Sequence, residues 1–461
     1  MIILGTNSIK DTGFNVANSL RFDTASDDYL NRTVGTPTQS LKYTISAWVK
    51  RSVQSTNVNS AILGIGNSGS SNAALRFKTN DTLQFYDHVS NADQVNYITN
   101  RVFRDNSAWY HVVVSSDRSL GSPETKIFIN GVQETSFGTS TEYNQNDGAN
   151  WNTNGKVLYV GSYNTSEDHI DGYLAELVFI DGSILAPTEF GEFDEDSAIW
   201  KPKDVSGLTF GDNGYYLDFE NSGALGADVS GNSNNFTVNN LTAIDQSTDT
   251  CSTNYATLNP LDNYFAGSTF SEGNLKVVTT GGNITYNTST IGFSSGKWYM
   301  ETKLAGSSGY TVGVVRGVAT ANDNNNKLGN RADGWSYDDG GDVEHNGGSL
   351  GGSFASYSSG NIIGIYADLD NNKLYFSKDG SLQNSGTGLT LTAGTYFFAV
   401  GDNNASNSST YEVNFGSPSF AISSGNTDGT YGNFEYSTTI TGDSASKTFK
   451  ALNTKNLAEY G

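Results

Sequence analysis

In "TISAWVK", Ile45, Ala47 and Val49 alternate with Thr44, Ser46 and Trp48, and this period of two recurs along the chain. Alternation sends successive side chains to opposite faces, the pattern of a strand with one face buried. It predicts strands at "NSLRFD", "YTISAWVKRS", "AALRFKT", "WYHVVVSS", "KIFINGVQ", "VLYVGSY" and "DGYLAELVFIDG". Clusters of Gly, Asn, Ser and Asp separate them, and these residues turn a chain. Asn130-Gly131 in "KIFINGVQ" marks a hairpin, because both residues accept the positive φ of a two-residue primed turn. No long segment follows the helical period of 3.6. The pattern predicts an all-β chain built of antiparallel sandwiches.

The stretch "DLDNNKLYFSKDG", Asp368 to Gly380, has two readings. Asp368, Asp370, Asn372 and Asp379 fall at the first, third, fifth and twelfth positions of a calcium loop. That loop needs Gly at its sixth position and a bidentate Glu at its twelfth, where this chain has Lys373 and Asp379. The flanks alternate with period two, so a hairpin is expected instead. Turning at Asn371-Asn372 would set Leu369 opposite Leu374, Ala367 opposite Phe376 and Asp370 opposite Lys373.

A chain of 461 residues is too long for one core. Its punctuation divides it into a sandwich over 1–190, a connector rich in Asp, Asn, Gly and Ser over 191–255, a second sandwich over 256–425 and a tail over 426–461. The strand-like "GYYLDFE" and the turn "DVSGNSNNFT" in the connector read as a truncated or shared element. The tail could form a short helix, or an arm packing on a neighbour, between Lys447 and Tyr460.

A formal charge of −22 argues against binding a nucleic-acid backbone or an anionic membrane, both of which require a positive footprint. It suits neutral or cationic partners, or partners bridged by divalent ions. The single cysteine, Cys251, allows no intrachain disulfide and reads as an inert thiol. "MIILGTNSIK" does not match a secretory signal, and no apolar run reaches membrane-spanning length, so no membrane insertion is expected.

Ser46 to Lys50, Trp109 to Val114, Ile127 to Gly131 and Val160 to Asp181 together resemble the ordered motifs of the laminin-G-like, concanavalin-A-type jelly roll. "GKWYMETKL", "YTVGVVRG", "GWSYDDGGDVEHNG", "GNIIGIYADLDNNKLYFSKDG" and "GTYFFAVGDN" are similar to the strand order of SPRY domains. The pairing of these sandwiches with the ending "TFKALNTKNL" resembles structural proteins of tailed bacteriophages, especially marine ones. That resemblance implies a virion component assembled in the reducing host cytoplasm and released by lysis.

For catalysis, Glu192, Asp194 and Asp196 in "GEFDEDSAIWKP" resemble the E-x-D-x-x-E strand of concanavalin-A-type glucanases, with the final Glu missing. Retaining cleavage needs carboxyls about 5–5.5 Å apart. Turn residues flank the run, so a solvated loop and no enzyme activity are expected. His88, His111, His169 and His345 form no His-x-x-His pair for zinc, and His111 is expected on the outer face of its sheet. Calcium, a common rim ion in laminin-G-like sandwiches, would be sought first at Asp168 and Asp171 in "SEDHIDG". The acidic loop of Asp338, Asp339, Asp342 and Glu344 is a second place to look. Aromatic rings in polar loops stack on sugars, which nominates Trp151 in "NDGANWNTNG" and Trp335 with Tyr337 in "DGWSYDDGG" as glycan-binding residues. "GSLGGSFASYSSG" reads as a flexible surface loop.

These observations lead to an expected tail-fibre or receptor-binding protein that grips host surface glycans. The alternatives are a capsid decoration protein and, further off, a polysaccharide depolymerase. Other virion proteins are expected partners, and uncovered sandwich edges together with virion symmetry predict a homo-oligomer, a trimer in the first instance.

Overall fold

The structure, a computed structural model, describes residues 13–52, 58–263, 267–282, 284–306, 308–317, 327–406, 408–429 and 431–461. The described chain divides into two compact units that meet in sequence between Ser252 and Thr253. Its regular structure is nearly all antiparallel strand, as the alternation predicts.

The first unit packs two eight-stranded sheets face to face. One sheet runs, in spatial order, Val132–Gln133, Glu124–Ile129, Trp109–Asp117, Lys42–Arg51, Gly172–Asp181, Ser19–Phe22 and Gln246–Ser247, and Tyr215–Leu217 also pairs with Gly172–Asp181. The other runs Phe137–Thr141, Ala92–Val102, Thr82–Val89, Ser71–Phe77, Ser60–Ser68, Val157–Val160, Tyr29–Thr33 and Thr237–Asn239. Ile45, Ala47 and Val49 enter the shared core with Leu75, Phe85 and Val112. Asn130 and Gly131 turn their hairpin at φ 50° and 78°.

The connector expected over 191–255 is, up to residue 252, part of this unit. Tyr215–Leu217, Thr237–Asn239 and Gln246–Ser247 add strands to both sheets. "GYYLDFE" is strand-like, as read, at Tyr215–Leu217; the other two, of three and two residues, are too short for periodicity to reveal. Gly191–Phe193 and Trp200–Pro202 form a separate hairpin. His111 lies on the outer face of its sheet, as expected, yet is fully buried. Its ring stacks on Trp48 and Trp200 and accepts a hydrogen bond from the Trp200 indole at 3.0 Å. Burial pulls its pKa down to about 3.

The second unit is also a two-sheet sandwich. Its seven-stranded sheet runs Leu258–Asn263, Tyr286–Ser289, Tyr396–Asp402, Tyr310–Arg316, Gly334–Asp338, Val343–His345 and Gly348–Ser349. The facing sheet runs Thr269–Ser271, Lys276–Val278, Ser409–Asn414, Lys297–Gly306, Ile362–Asp368, Lys373–Lys378 and Ser381–Leu382. The tail is built into this unit. Lys450–Ala451 pairs in parallel with Lys297–Gly306, and the helix Thr454–Tyr460 follows, capped by the Asn453 side chain.

The Asp368–Gly380 stretch is a hairpin, but its register differs from the expected one by two residues. Ala367 faces Leu374, Asp368 faces Lys373 and Ile365 faces Phe376. A shift of two preserves which side chains face inward, so the alternation could not distinguish the two registers. Asn371 folds back onto the Asp368 carboxylate, and Asn372 adopts φ 52°. Asp368 is fully buried and takes the Lys447 ammonium at 3.1 Å, while Asp370 pairs with Lys297.

Candidate functional site

The three aromatic candidates are core residues. Trp151 is 1% exposed, stacks on Phe85 at 5.5 Å and donates its indole N–H to the Tyr86 carbonyl. The cavity beside it encloses about 10 Å³, room for one water and not for a sugar. Its polar flanks are themselves buried: Asn150 bonds the Asp87 carboxylate and Asn152 bonds Asp181, each at 2.6 Å. Trp335, 2% exposed, lies between His345 at 3.9 Å and Tyr396, and its N–H reaches the Thr390 carbonyl. Tyr337 is covered by Phe354 and Tyr357, residues of the expected surface loop, and its hydroxyl donates to the Ala355 carbonyl. A ring closed off on both faces cannot stack on a sugar.

The candidate carboxylates Asp168 and Asp171 do not converge on one point. Asp168 accepts from the Arg76 guanidinium at 2.7 Å and from Asn59 at 3.2 Å. Asp171 accepts from the Thr24 backbone N–H and hydroxyl at 2.9 and 3.0 Å. Burial, with Asp23 nearby, pushes the Asp171 carboxyl up to about 6. An acid already neutralised by arginine and one raised by burial make a poor calcium pair, and the described residues hold no cluster of three or more His, Cys, Asp or Glu suited to a metal. In the second acidic loop Asp339 bonds Gly309 and Asn403, while Glu344 pairs with Lys327 at 2.6 Å. Glu192 and Asp194 lie on the small hairpin around Lys201 at 3.5 and 3.3 Å. Hydrogen bonds from Ser197 hold the half-buried Asp194 down at about 2.

Asp168 nonetheless points to a site. The loop 161–171 is pinned to the sandwich by bonds from Ala61 N–H to the Asp168 carbonyl and from Ser52 N–H to the Asp171 carbonyl. It lies so close over the strand Ser60–Ser68 that a Cβ on Gly64 would stand 2.4 Å from the Tyr163 Cα. Only glycine there admits Tyr163, which is half-buried. Between this loop and the sheet opens a groove of about 600 Å³, lined by Thr24, Val58, Arg76, Tyr86, Tyr163, Ser166, Glu167, Asp168 and His169.

The groove joins two tyrosine rings to a fixed set of donors and acceptors. Arg76 lies over the Tyr86 ring at 4.9 Å and is held by Asp168 on one side and Gln84 on the other. From Gln84 the chain of hydrogen bonds continues through Asn96 and Asp93 to His88, each link between 2.8 and 2.9 Å. These side chains are therefore held in place before any ligand arrives. Sequence inspection missed Tyr86, Tyr163 and Arg76 because they are remote in sequence; the one available signal was the acidic, Asn- and Ser-rich loop "SYNTSEDHID".

Residues 23–188 match the family model described as the concanavalin A-like lectin/glucanases superfamily, and residues 297–417 match that of the SPRY domain. No curated protein matches the chain. Among solved structures, the SPRY domain of human HERC1 is 18% identical, with 34% of this chain and 96% of that one covered and a TM-score of 0.27. The native heptameric SAP-like pentraxin from Limulus polyphemus is 13% identical, over 38% of this chain and 80% of that one, at a TM-score of 0.28. A candidate carbohydrate-binding protein from Bacteroides ovatus is 19% identical, over 49% of this chain and 59% of that one, at a TM-score of 0.36. The chain thus carries a concanavalin A-like, laminin-G-type domain followed by a SPRY domain.

Proposed function

We propose that the chain is a glycan-recognition protein whose first sandwich binds sugar in the groove between the loop 161–171 and the strands Ser71–Phe77 and Thr82–Val89. The groove itself is the observation that carries this reading. Half-buried Tyr163 offers ring surface, Tyr86 lies buried beneath Arg76 and lines the floor, and Arg76, Asp168, Glu167, Ser166 and Thr24 offer the donors and acceptors that sugar hydroxyls need. The lectin and glucanase content of the matched family agrees with it. The carboxylates Glu192 and Asp194 lie on a different hairpin, tied to Lys201, so the role proposed is binding without cleavage.

Its setting follows the resemblance drawn from the sequence. The laminin-G-type and SPRY pairing and the "TFKALNTKNL" ending support a place on a tailed-phage virion, as a receptor-binding or fibre component, with capsid decoration as the alternative. Short, exposed edge strands such as Val132–Gln133 are available for self-association, and a trimer is proposed.

A glycan array probed with the whole chain tests the reading. Binding of neutral glycans that is lost in Tyr163→Ala and kept in Trp335→Phe supports it. No binding to any glycan, or binding indifferent to Tyr163, would sink it. Gold-labelled antibody on purified virions separates tail tips from capsid, and light scattering at micromolar concentration reports the oligomeric state.

A further inference from the structure

A second groove, of about 510 Å³, opens on the first unit; Lys78, Ile98, Asn100, Val102, Arg104 and Thr139 are among the residues that line it. Strand alternation puts it on the same side of the sheet as the tyrosine groove. Leu75, Leu83, Phe85 and Val95 enter the core, so Arg76, Thr82, Gln84, Tyr86, Asn96 and Ile98 point away from it. The register makes the connection explicit. Arg76 faces Gln84, Gln84 faces Ile98 and Ile98 faces Thr139 on four successive strands. This row begins in the first groove and ends in the second, with Gln84 between them. Three strand spacings at roughly 4.8 Å make it about 14 Å long.

Resting on the proposed glycan reading, we infer that the ligand is an extended, uncharged oligosaccharide that crosses the strands from Tyr163 to Thr139 and occupies both grooves at once. A single sugar would use one groove and leave the other without purpose. The row between them is polar and already fixed: Gln84 is held at both ends, by Arg76 and by Asn96, at 3.0 and 2.9 Å. A chain laid over it meets oriented amides at no cost in side-chain ordering. The second groove adds exposed Asn100 and the apolar surface of Val102, 44% exposed, the same mixture of apolar and hydrogen-bonding groups as the first.

Charge selects against an anionic chain. Arg76 is neutralised by Asp168 and exposed Glu167 stands at that end, whereas at the other end Lys78 is joined by Arg104, which shares Asp81 with Arg51. Positive charge is thus confined to the far groove and opposed by Glu167 at the near one, so no continuous positive track runs along the row to recruit a chain of uronic or sialic acids.

The test is titration calorimetry of the whole chain with neutral gluco-, manno- and galacto-oligosaccharides of graded length, using the series that binds best in the array. Affinity is expected to rise at least about tenfold from disaccharide to hexasaccharide, some 1.4 kcal/mol. Asn100→Ala with Thr139→Ala, an exposed and a half-buried position of the second groove, should remove that gain and leave disaccharide binding intact. Equal affinity at all lengths, or a length gain that survives the double substitution, overturns the spanning ligand while leaving glycan binding standing. Tighter binding of matched uronic-acid oligomers overturns the charge assignment. Failure of every glycan to bind removes the parent reading and this one together.

Discussion

The two sandwiches treat the outer face of a sheet in opposite ways. In the first, the row from Arg76 to Thr139 joins two grooves, and its polar side chains bond one another. In the second, Tyr299, Tyr366 and Tyr375 cover the equivalent side of the sheet around Lys297–Gly306, and Tyr255, Phe434, Phe449 and Ala451 pack over them. Beneath that cover Glu301 is fully buried, accepting from the backbone of Glu435 and Tyr436, from Asn414 and from the Tyr299 hydroxyl. Aromatic content alone therefore does not locate a binding face. A face rich in tyrosine was sealed by the chain's own later residues, and the face left open is the one built of amides and arginine.

The largest test of this contrast is to unseal the second unit. Phe449→Ala removes a fully buried ring from the cover and should cost about 3–5 kcal/mol. Calorimetry of the whole chain should show the second unit's transition fall while the first holds. Trp151→Ala and Trp335→Ala should each cost a similar amount, about 3–5 kcal/mol, in their own units, as core residues do. A loss below about 1 kcal/mol would return either residue to the surface.

Buried acids give an effect of comparable size that accrues with pH and is separable by unit. Burial pushes Glu176 up to about 8 in the first unit and Asp402 up to about 7 in the second. Between pH 4.5 and about 8 the folded chain holds a proton on Glu176 that the unfolded chain has released, so stability falls as pH rises across that window. Asp402 acts with the same sign from 3.8 to about 7. Glu176→Gln should flatten the first transition's decline and Asp402→Asn the second's. Melting temperatures that rise with pH through these windows would contradict both.

On the open face the expected changes are smaller. Gln84→Ala should cost about 1–3 kcal/mol of stability, since Gln84 is buried and its loss leaves the Arg76 guanidinium and the Asn96 amide without that partner. A chelator should leave both melting temperatures unchanged, given the engagement of Asp168 by Arg76 and of Asp171 by Thr24. A shift of several degrees would restore a structural cation.

Strand alternation carried most of the architecture, because a buried face imposes its period on the sequence wherever a strand is long. Ile45, Ala47 and Val49, or Asn130-Gly131, could be placed from their neighbours alone. It failed where information is not local. Thr237–Asn239 and Gln246–Ser247 are held by partners far along the chain. Trp151 and Trp335 misled because polar neighbours normally signal solvent, whereas Asn150 and Asn152 are buried against Asp87 and Asp181. The groove was half legible: "SEDHIDG" marked the loop, but Arg76 and Tyr86 reach it only through the pairing of strands.

Each unit also closes on itself. In the first, Val16 bonds Ser252 and the strand Ser19–Phe22 pairs with Gln246–Ser247. In the second, Ala256 bonds Leu452, and Tyr255 bridges to Asn453. A ribosome making this protein cannot complete either sandwich until its last short strands emerge, so each unit waits for the end of its own stretch before locking. The same closure makes each unit a cassette: its entry and exit points adjoin, so it can be spliced into a surface loop of another protein, or removed from this one, without stretching the host backbone.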